Sequence, residues 1–590
     1  MRPFSPGSAE SLAAAARLAQ SGRLREAEEI FGHMLRRDPG DPDAISGLAS
    51  LALARGEAQM AFEALARARA THPSHGGILA ALANAHYALG RRDDAMMCIE
   101  TAISLAPEIS AHRLTRIQML MEQNRPAEAL AAAEAALASG GDEPGLLNAK
   151  GAALFALSRV PDSVACFAKA HAAEPDRSDA AHNLALALAL LGRVEEAVVY
   201  AERAYIHEPA DPAYRVHFAR LLLAVGRGDE ARHMAQSAVA IAPLDVAAHE
   251  SLAECRVLIG DDEQGLAQLA RAVQQMKSSP EACLALARVL RRAGRLEEAF
   301  ATVSHARSAA PDNVAAIALE RELNLALGRF APERANAMVE DAPPQEFSTR
   351  GVSFADAVFC ARWLPAGARL HCRPEEAPLF ASLDGVTVVV DDPGATPPVT
   401  ILAREIDRGP PASADWRPYL NVAEARRAPW RRAVASWPRP RIGVMWGRAP
   451  HDMSLPVLHA ALAGSGTLVS LATGAQREPL PEYPDILDGG AHIGTAFDLA
   501  AAISEMDAVV ANDGLAAHLA GALGKPGIIV VSAGKPWPWR AEGGRSLWYP
   551  TLEVVTQTRA SDWRNAMTEL RRRLEGFAAP HSIATSEMSG

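Results

Sequence analysis

Apolar residues in the first half of the chain recur at helical spacing, in blocks closed by glycine and proline at a fixed interval. Proline stands at Pro39, Pro73, Pro107, Pro175, Pro209, Pro243 and Pro311, always 34 residues or a multiple of 34 apart. Gly141 and Lys277 occupy the missing beats. A second series keeps the same period: Gly22, Gly56, Gly90, Asn124, Ser158, Gly192, Gly226, Gly260, Gly294 and Gly328. Five positions after each of its first nine members comes a small residue: Ala27, Ala61, Ala95, Ala129, Ser163, Ala197, Ala231, Gly265 and Ala299.

Each series has a physical task. Glycine or asparagine closes a first helix in the left-handed backbone region, where a Cβ is costly. The small residue lets a second helix approach the first closely. Proline cannot continue that second helix and sets the turn into the next unit. The pattern therefore predicts an all-α solenoid of helix pairs over residues 1–340. Stretches such as HNLALALALLGRVEEAVVYAERAYIHEP resemble the tetratricopeptide repeat; nine repeats fill residues 8–313, and a divergent pair from Val314 to about Val339 forms a cap.

Such repeats bind partners and carry no chemistry of their own. Projected onto the first helices, the inner face holds Leu53, Tyr87, Leu114, Met121, Phe155, Leu186, Val216, Leu223 and Val257. A groove lined this way suits an extended segment or an amphipathic helix. The alternative is that these side chains pack between neighbouring repeats, and periodicity alone does not separate the two. Only Asn183 stands where an inner ladder of asparagines would grip peptide backbone.

The pattern changes after Glu340, where EDAPPQEFSTRG reads as a linker. Short Val/Ile-rich runs then alternate with helical stretches. Strands are expected at Val386–Val390, Ile442–Trp446, Leu468–Ala472, Ala508–Ala511, Ile528–Val531 and Leu552–Val555. Helices are expected at Phe354–Trp363, Pro374–Leu383, Leu455–Leu462, Ala496–Met506, Leu515–Leu523 and Ser561–Leu574. Alternation of this kind predicts a mostly parallel, Rossmann-like α/β sheet, with ligands held beyond the carboxyl ends of its strands.

The segment with most chemistry is a strand, Ala508–Ala511, that breaks at Asn512-Asp513-Gly514 and launches a helix carrying His518. Asp513 is a natural N-cap, Gly514 lets a ligand approach free backbone N–H groups, and His518 lies one turn on. A plain strand-to-helix turn with a buried histidine explains the same spacing. Beyond the first strand, GRAPHDMSL offers Arg448 as a phosphate partner and the neighbours His451 and Asp452 as a base, while each reads equally as a solvated loop residue, Asp452 above all. Trp537, Trp539 and Arg540 stand near another strand end, placed to stack on a base or sugar or to pack the tail helix. Asp391-Asp392 reads as a turn. Arg426, Arg427, Arg431 and Arg432 read as a solvated helix.

NDGLAAHLAGALGKP, followed by WPW and SLWYP, resembles the nucleotide-binding half of heptosyltransferase-like and repeat-fused bacterial glycosyltransferases. Members of that group usually show Asp-Thr-x-x-x-His-Leu-Ala-Gly at this place. RPRIGVMWG (Arg439–Gly447) and FASLDGVTVVV (Phe380–Val390) resemble further strands of the same enzymes, so the likeness spans about residues 350–578. It implies a two-lobed GT-B arrangement: a reduced first lobe over 345–440, a nucleotide-sugar lobe over 441–578 and a flexible tail over 579–590. It also implies catalysis without a metal. His518 and His451 would then be catalytic, with Asp513, Gly514, Arg448, Trp539 and Arg540 on the nucleotide sugar. Gly514 replaces the usual threonine and removes one hydroxyl contact. The implied activity is protein O-glycosylation of Ser or Thr, with the acceptor polypeptide held by the solenoid and flagellin the expected acceptor. CMP-nonulosonic acid and UDP-hexose both remain open as donor. A non-catalytic scaffold with a degenerate nucleotide-binding domain is the alternative.

Charge and cysteine content narrow the partners. The net charge of −11 offers no overall basic footprint for nucleic acid. Six scattered cysteines without a C-x-x-C pair predict buried thiols in a reducing compartment. No D-x-D loop or His/Cys ligand cluster predicts a metal or bound cofactor. No run of 18 uncharged apolar residues predicts a membrane span, and Arg17 and Arg23 interrupt the early apolar run, so a cytoplasmic protein without a signal peptide is expected.

Overall fold

The computed structural model describes residues 8–20, 23–329, 346–349, 353–364, 366–390, 416–447, 452–534, 537–560 and 562–578. The predicted linker falls mostly outside them, as do Asp391-Asp392, the second helix of the predicted cap and the predicted flexible tail. By compactness the chain divides at Tyr214/Arg215.

The first unit is helical throughout its described residues. Its helices alternate as first and second members of a pair, from Ser8–Gln20 and Leu24–Arg37 to Ser178–Leu190 and Val194–His207. The two sequence series do what their chemistry demands. Gly56, Gly90 and Gly192 take φ of 81°, 76° and 73°, and Asn124 and Ser158 follow at 57° and 61°. Where proline is missing the turn is left-handed instead, at Gly141 with φ 78°. Ala27, Ala61, Ala95, Ala129, Ser163 and Ala197 are all buried at the helix crossings. Of the residues projected onto the inner face here, Leu53, Tyr87, Leu114, Met121, Phe155 and Leu186 are half-buried. Asn183 donates to Asn148 at 3.0 Å, and Asn148 to Asp179 at 3.1 Å, so the lone inner asparagine belongs to a polar chain between repeats.

The second unit begins with the remaining helix pairs, which run to Val314–Leu327 and keep the same turns: Gly226, Gly260, Gly294 and Gly328 lie at φ 81°, 89°, 82° and 72°. Val216, Leu223 and Val257 are buried, which assigns them to packing between repeats. Two sheets follow. The smaller is three-stranded and parallel: β1 (Glu346–Ser348), β2 (Arg369–Cys372) and β3 (Thr387–Val390) in that order. The larger has eight strands. In chain order they are β4 (Arg441–Met445), β5 (Thr467–Ser470), β6 (Ile486–Asp488), β7 (Ala508–Asn512), β8 (Gly527–Val531), β9 (Ala541–Glu542), β10 (Arg545–Ser546) and β11 (Leu552–Thr556).

The spatial order is β6-β5-β4-β7-β8-β11-β10-β9, parallel except for the terminal hairpin. Renumbered along the chain, its six parallel strands run 3-2-1-4-5-6, the doubly wound order, with the chain reversing direction across the sheet between β4 and β7. The central strands read IGVM, AVVA and IIVV because helices cover both faces. Thr495 and Asp498 cap the helix Ala496–Ser504 reciprocally. One apolar cluster contains Phe347, Phe359, Leu370 and Phe380 from the smaller sheet region with Ile503, Leu519, Trp548 and Tyr549 from the larger. The two expected lobes therefore share a core.

Candidate functional site

Ligands of doubly wound sheets bind where the strand order reverses, off the carboxyl ends of the two flanking strands. Here those ends are the loops after β4 and β7; of the sequence-based candidates Asp513 and Gly514 follow β7, while Trp539 and Arg540 follow β8. After β4 the backbone turns back at once: the Gly447 N–H donates to Met453 O at 2.9 Å. A Cβ on Gly447 would lie 2.0 Å from Cβ of Asp452, so only glycine admits this closure. Arg448 and His451 lie outside the described residues.

After β7 the chain breaks at Gly514, with φ 153° and nothing within 4 Å of the place a Cβ would take. Gly514, not Asp513, is the N-cap of the helix Leu515–Ala522, and no side chain caps that helix. The expected cap by Asp513 is not made, because its Oδ1 accepts the indole N–H of Trp539 instead. The first-turn N–H groups are left without a capping side chain beside an open glycine. Asp513 still reaches solvent, but crowding by its neighbours pushes its carboxyl above the usual range; the Trp539 N–H opposes this and the charges of Asp356 and Asp452 add to it.

His518 lies one turn beyond Gly514 and is only 2% exposed. Its Nδ1 is 3.0 Å from Tyr549 Oη, and its ring centroid is 4.7 Å from that of Trp539 and 5.6 Å from that of Phe359. Burial, reinforced by the Arg362 charge, pushes the imidazole down to about 3, so it is neutral at physiological pH. Arg362 itself donates to Phe359 O at 2.9 Å and Trp548 O at 2.8 Å, and lies 4.2 Å and 4.3 Å over the rings of Phe359 and Tyr549. Its Nη2 reaches Tyr419 Oη at 3.3 Å, and Tyr419 donates to Val358 O at 3.0 Å. An aromatic box around a guanidinium therefore stands directly behind the β7 turn. Nothing in the sequence spacing announced Arg362, two of whose partners lie 57 and 186 residues away.

Trp539 is buried and stacks on Tyr549 at 5.8 Å. Arg540 donates to Ala326 O at 3.1 Å, at the end of the last repeat helix. Trp537 packs edge-on against Phe359. Of the arginine cluster, Arg427 and Arg431 are paired to Glu505, and Arg431 also to Glu424. Among the described residues no group of three His, Cys, Asp or Glu is placed to hold a metal ion, and no helix is long and apolar enough to cross a membrane. Cys98, Cys255, Cys283, Cys360 and Cys372 are buried and outside any disulfide, and burial pushes Cys255 and Cys360 up to about 12.

Comparison with known proteins identifies the helical part. Residues 52–116 and 188–255 match one tetratricopeptide-repeat model and residues 148–214 another. The N-terminal part of the chain carries tetratricopeptide repeats. No curated protein matches the chain. Similar solved structures include the APC/C hetero-tetramer Cut9-Hcn1, at 18% identity and TM-score 0.36 over 42% of this chain and 48% of that one. This chain thus spans about half the length of that relative. A thermophilic tetratricopeptide-repeat protein from Thermus thermophilus is 23% identical, with TM-score 0.28 over 31% of this chain and 100% of that one. One from Parabacteroides merdae is 14% identical, with TM-score 0.35 over 42% of this chain and 97% of that one.

Proposed function

We propose that the chain is a nucleotide-sugar-dependent protein glycosyltransferase of GT-B type, with the repeats capturing a polypeptide acceptor and the doubly wound sheet holding the donor. The observation that carries this reading is the reversal of strand order between β4 and β7, flanked by an open glycine and an uncapped helix N-terminus at Gly514. Tetratricopeptide repeats are surfaces for protein partners, and a transferase acting on a polypeptide has use for such a surface. Metal-independent transfer to Ser or Thr follows from the same resemblance, and flagellin is the acceptor we name. The experiment offers UDP- and CMP-sugars to the purified chain in EDTA, with flagellin as acceptor, and reads donor binding by calorimetry and transfer by intact-protein mass. Saturable donor binding with a mass increase on the acceptor supports the reading. Absence of binding to every nucleotide sugar sinks it.

A non-catalytic scaffold is the second reading, and a specific observation favours it. The negative charges of Asp356 and Asp452 are felt at Asp513 at the end of β7, which disfavours a diphosphate there, and His518 is buried. Acceptor binding with no nucleotide binding at all would favour the scaffold.

A further inference from the structure

The left-handed turns that close the first helices recur every 34 residues, and those at Gly56 and Gly90 stand in open space. Three consecutive ones do not. The carbonyl of Gly260 accepts Arg559 Nη2 at 3.0 Å, and Arg559 is also paired with Asp262. At Gly294 the place of a Cβ lies 2.9 Å from Ala533 O, and at Gly534 it lies 3.2 Å from Arg291 O, so two glycines let two backbones touch. At Gly328 that place lies 2.4 Å from Arg540 Cζ, and Arg540 reaches past it to Ala326 O at 3.1 Å. That carbonyl ends the helix Val314–Leu327, where the helix dipole favours a cation.

Ala533, Gly534 and Arg540 belong to one loop, the chain leaving the carboxyl end of β8. Within that loop Trp539 donates to Asp513 and stacks on Tyr549. We infer that the turns at Gly294 and Gly328 form an intramolecular docking surface whose occupant is the set Ala533, Gly534 and Arg540 beyond β8, beside the Gly260 turn that holds Arg559 beyond β11, and that Arg540 is a positioning residue which, through Trp539, fixes Asp513 at the end of β7. The last repeats are then part of the architecture of the strand-end crevice. This holds whatever the crevice binds, so its test needs no ligand.

All nine tryptophans lie at or beyond Trp363, which makes indole signals a report on the α/β part alone. The test is the ¹⁵N-indole spectrum of the full chain, with Trp539→Phe assigning the signal and Asp513→Asn defining its position without the carboxylate. Gly294 and Gly56 have φ of 82° and 81°, so Gly294→Ala and Gly56→Ala carry the same backbone strain, but nothing lies within 4 Å of the place a Cβ would take on Gly56. Gly294→Ala and Arg540→Ala are each expected to move the Trp539 signal toward its Asp513→Asn position. Each should also speed indole exchange with solvent about tenfold, the factor that loss of one charge-assisted hydrogen bond corresponds to. Gly56→Ala is expected to leave the signal in place. Arg540→Ala keeps the repeat backbone intact, so a misfolded Gly294→Ala does not decide the outcome. A Trp539 signal unmoved by Arg540→Ala, or moved equally by Gly56→Ala, overturns the inference.

Discussion

A Cβ placed on Gly521 would lie 2.2 Å from Cδ1 of Tyr549, so the helix Leu515–Ala522 approaches the aromatic box as closely as a backbone can. Two effects oppose each other in Gly521→Ala. Helix propensity favours alanine by about 1 kcal/mol, while forcing a methyl into a packed ring costs typically about 1–3 kcal/mol. Tyr549 is fully buried and cannot retreat, so the second effect wins. The variant is expected to melt below wild type, and a raised melting temperature would show that the ring has room to move.

His518 fills part of the same box. His518→Ala leaves a void lined by Phe359, Trp539 and Tyr549 and is expected to cost about 2–4 kcal/mol, as large-to-small core changes do. Urea unfolding measures this. A loss below about 1 kcal/mol would mean that the site collapses around the gap.

The same histidine makes stability depend on pH. An unfolded imidazole binds a proton below about pH 6.5, whereas folded His518 resists until about 3. Between those values the unfolded state holds more protons, so stability falls as pH drops through that window, by up to about 1.4 kcal/mol per unit. Burial shifts His86, His112, His171 and His182 in the same direction, so the repeats share the trend. The urea midpoint is expected to fall from pH 7.5 to 5.0, and to fall less in His518→Phe. Equal slopes in the two proteins would remove His518 from the account.

Glu250 is buried in a repeat helix between two arginines. Arg288 Nε donates to it at 2.5 Å and Arg220 lies at 3.4 Å, while both guanidiniums stay partly in solvent. That exposure discounts the cost of breaking the pair. Glu250→Gln keeps the shape and loses the charge, and is expected to cost about 1–2 kcal/mol, less at high salt. Chemical denaturation of a 215–578 fragment at low and high ionic strength reads this out.

The helical part was almost wholly legible because each turn states its requirement locally. A left-handed backbone selects glycine, asparagine or serine, and a tight crossing selects alanine, so Gly90 and Ala95 can be read without their neighbours. The central strands were legible for a similar reason: Val509, Val510, Ile528 and Ile529 are buried on both faces. The expected helix Pro374–Leu383 contracts to Ala377–Phe380, because Glu376 turns inward to accept the hydroxyl of Thr349 and the guanidinium of Arg373. Strands β1, β2 and β6 were missed because EFS, RLHC and ILD are too short and mixed to show a period. The site was half legible. The β7 turn follows from Asn512-Asp513-Gly514, but the partner that takes Asp513 away from its cap is Trp539, and the cation near His518 is Arg362. Both are brought there by folding over long sequence distances, which spacing cannot express.

The division at Tyr214/Arg215 sets how this chain tolerates a change of length. Adding or deleting one 34-residue period upstream of it changes the reach of the array while every remaining repeat keeps its own neighbours. The same change between Gly260 and Gly328 would shift the turns on one side of it by a step against those on the other, so the attachments to Arg559, Ala533 and Arg540 could not all be kept. The upstream segment behaves as an adjustable ruler, and the last repeats as its fixed handle.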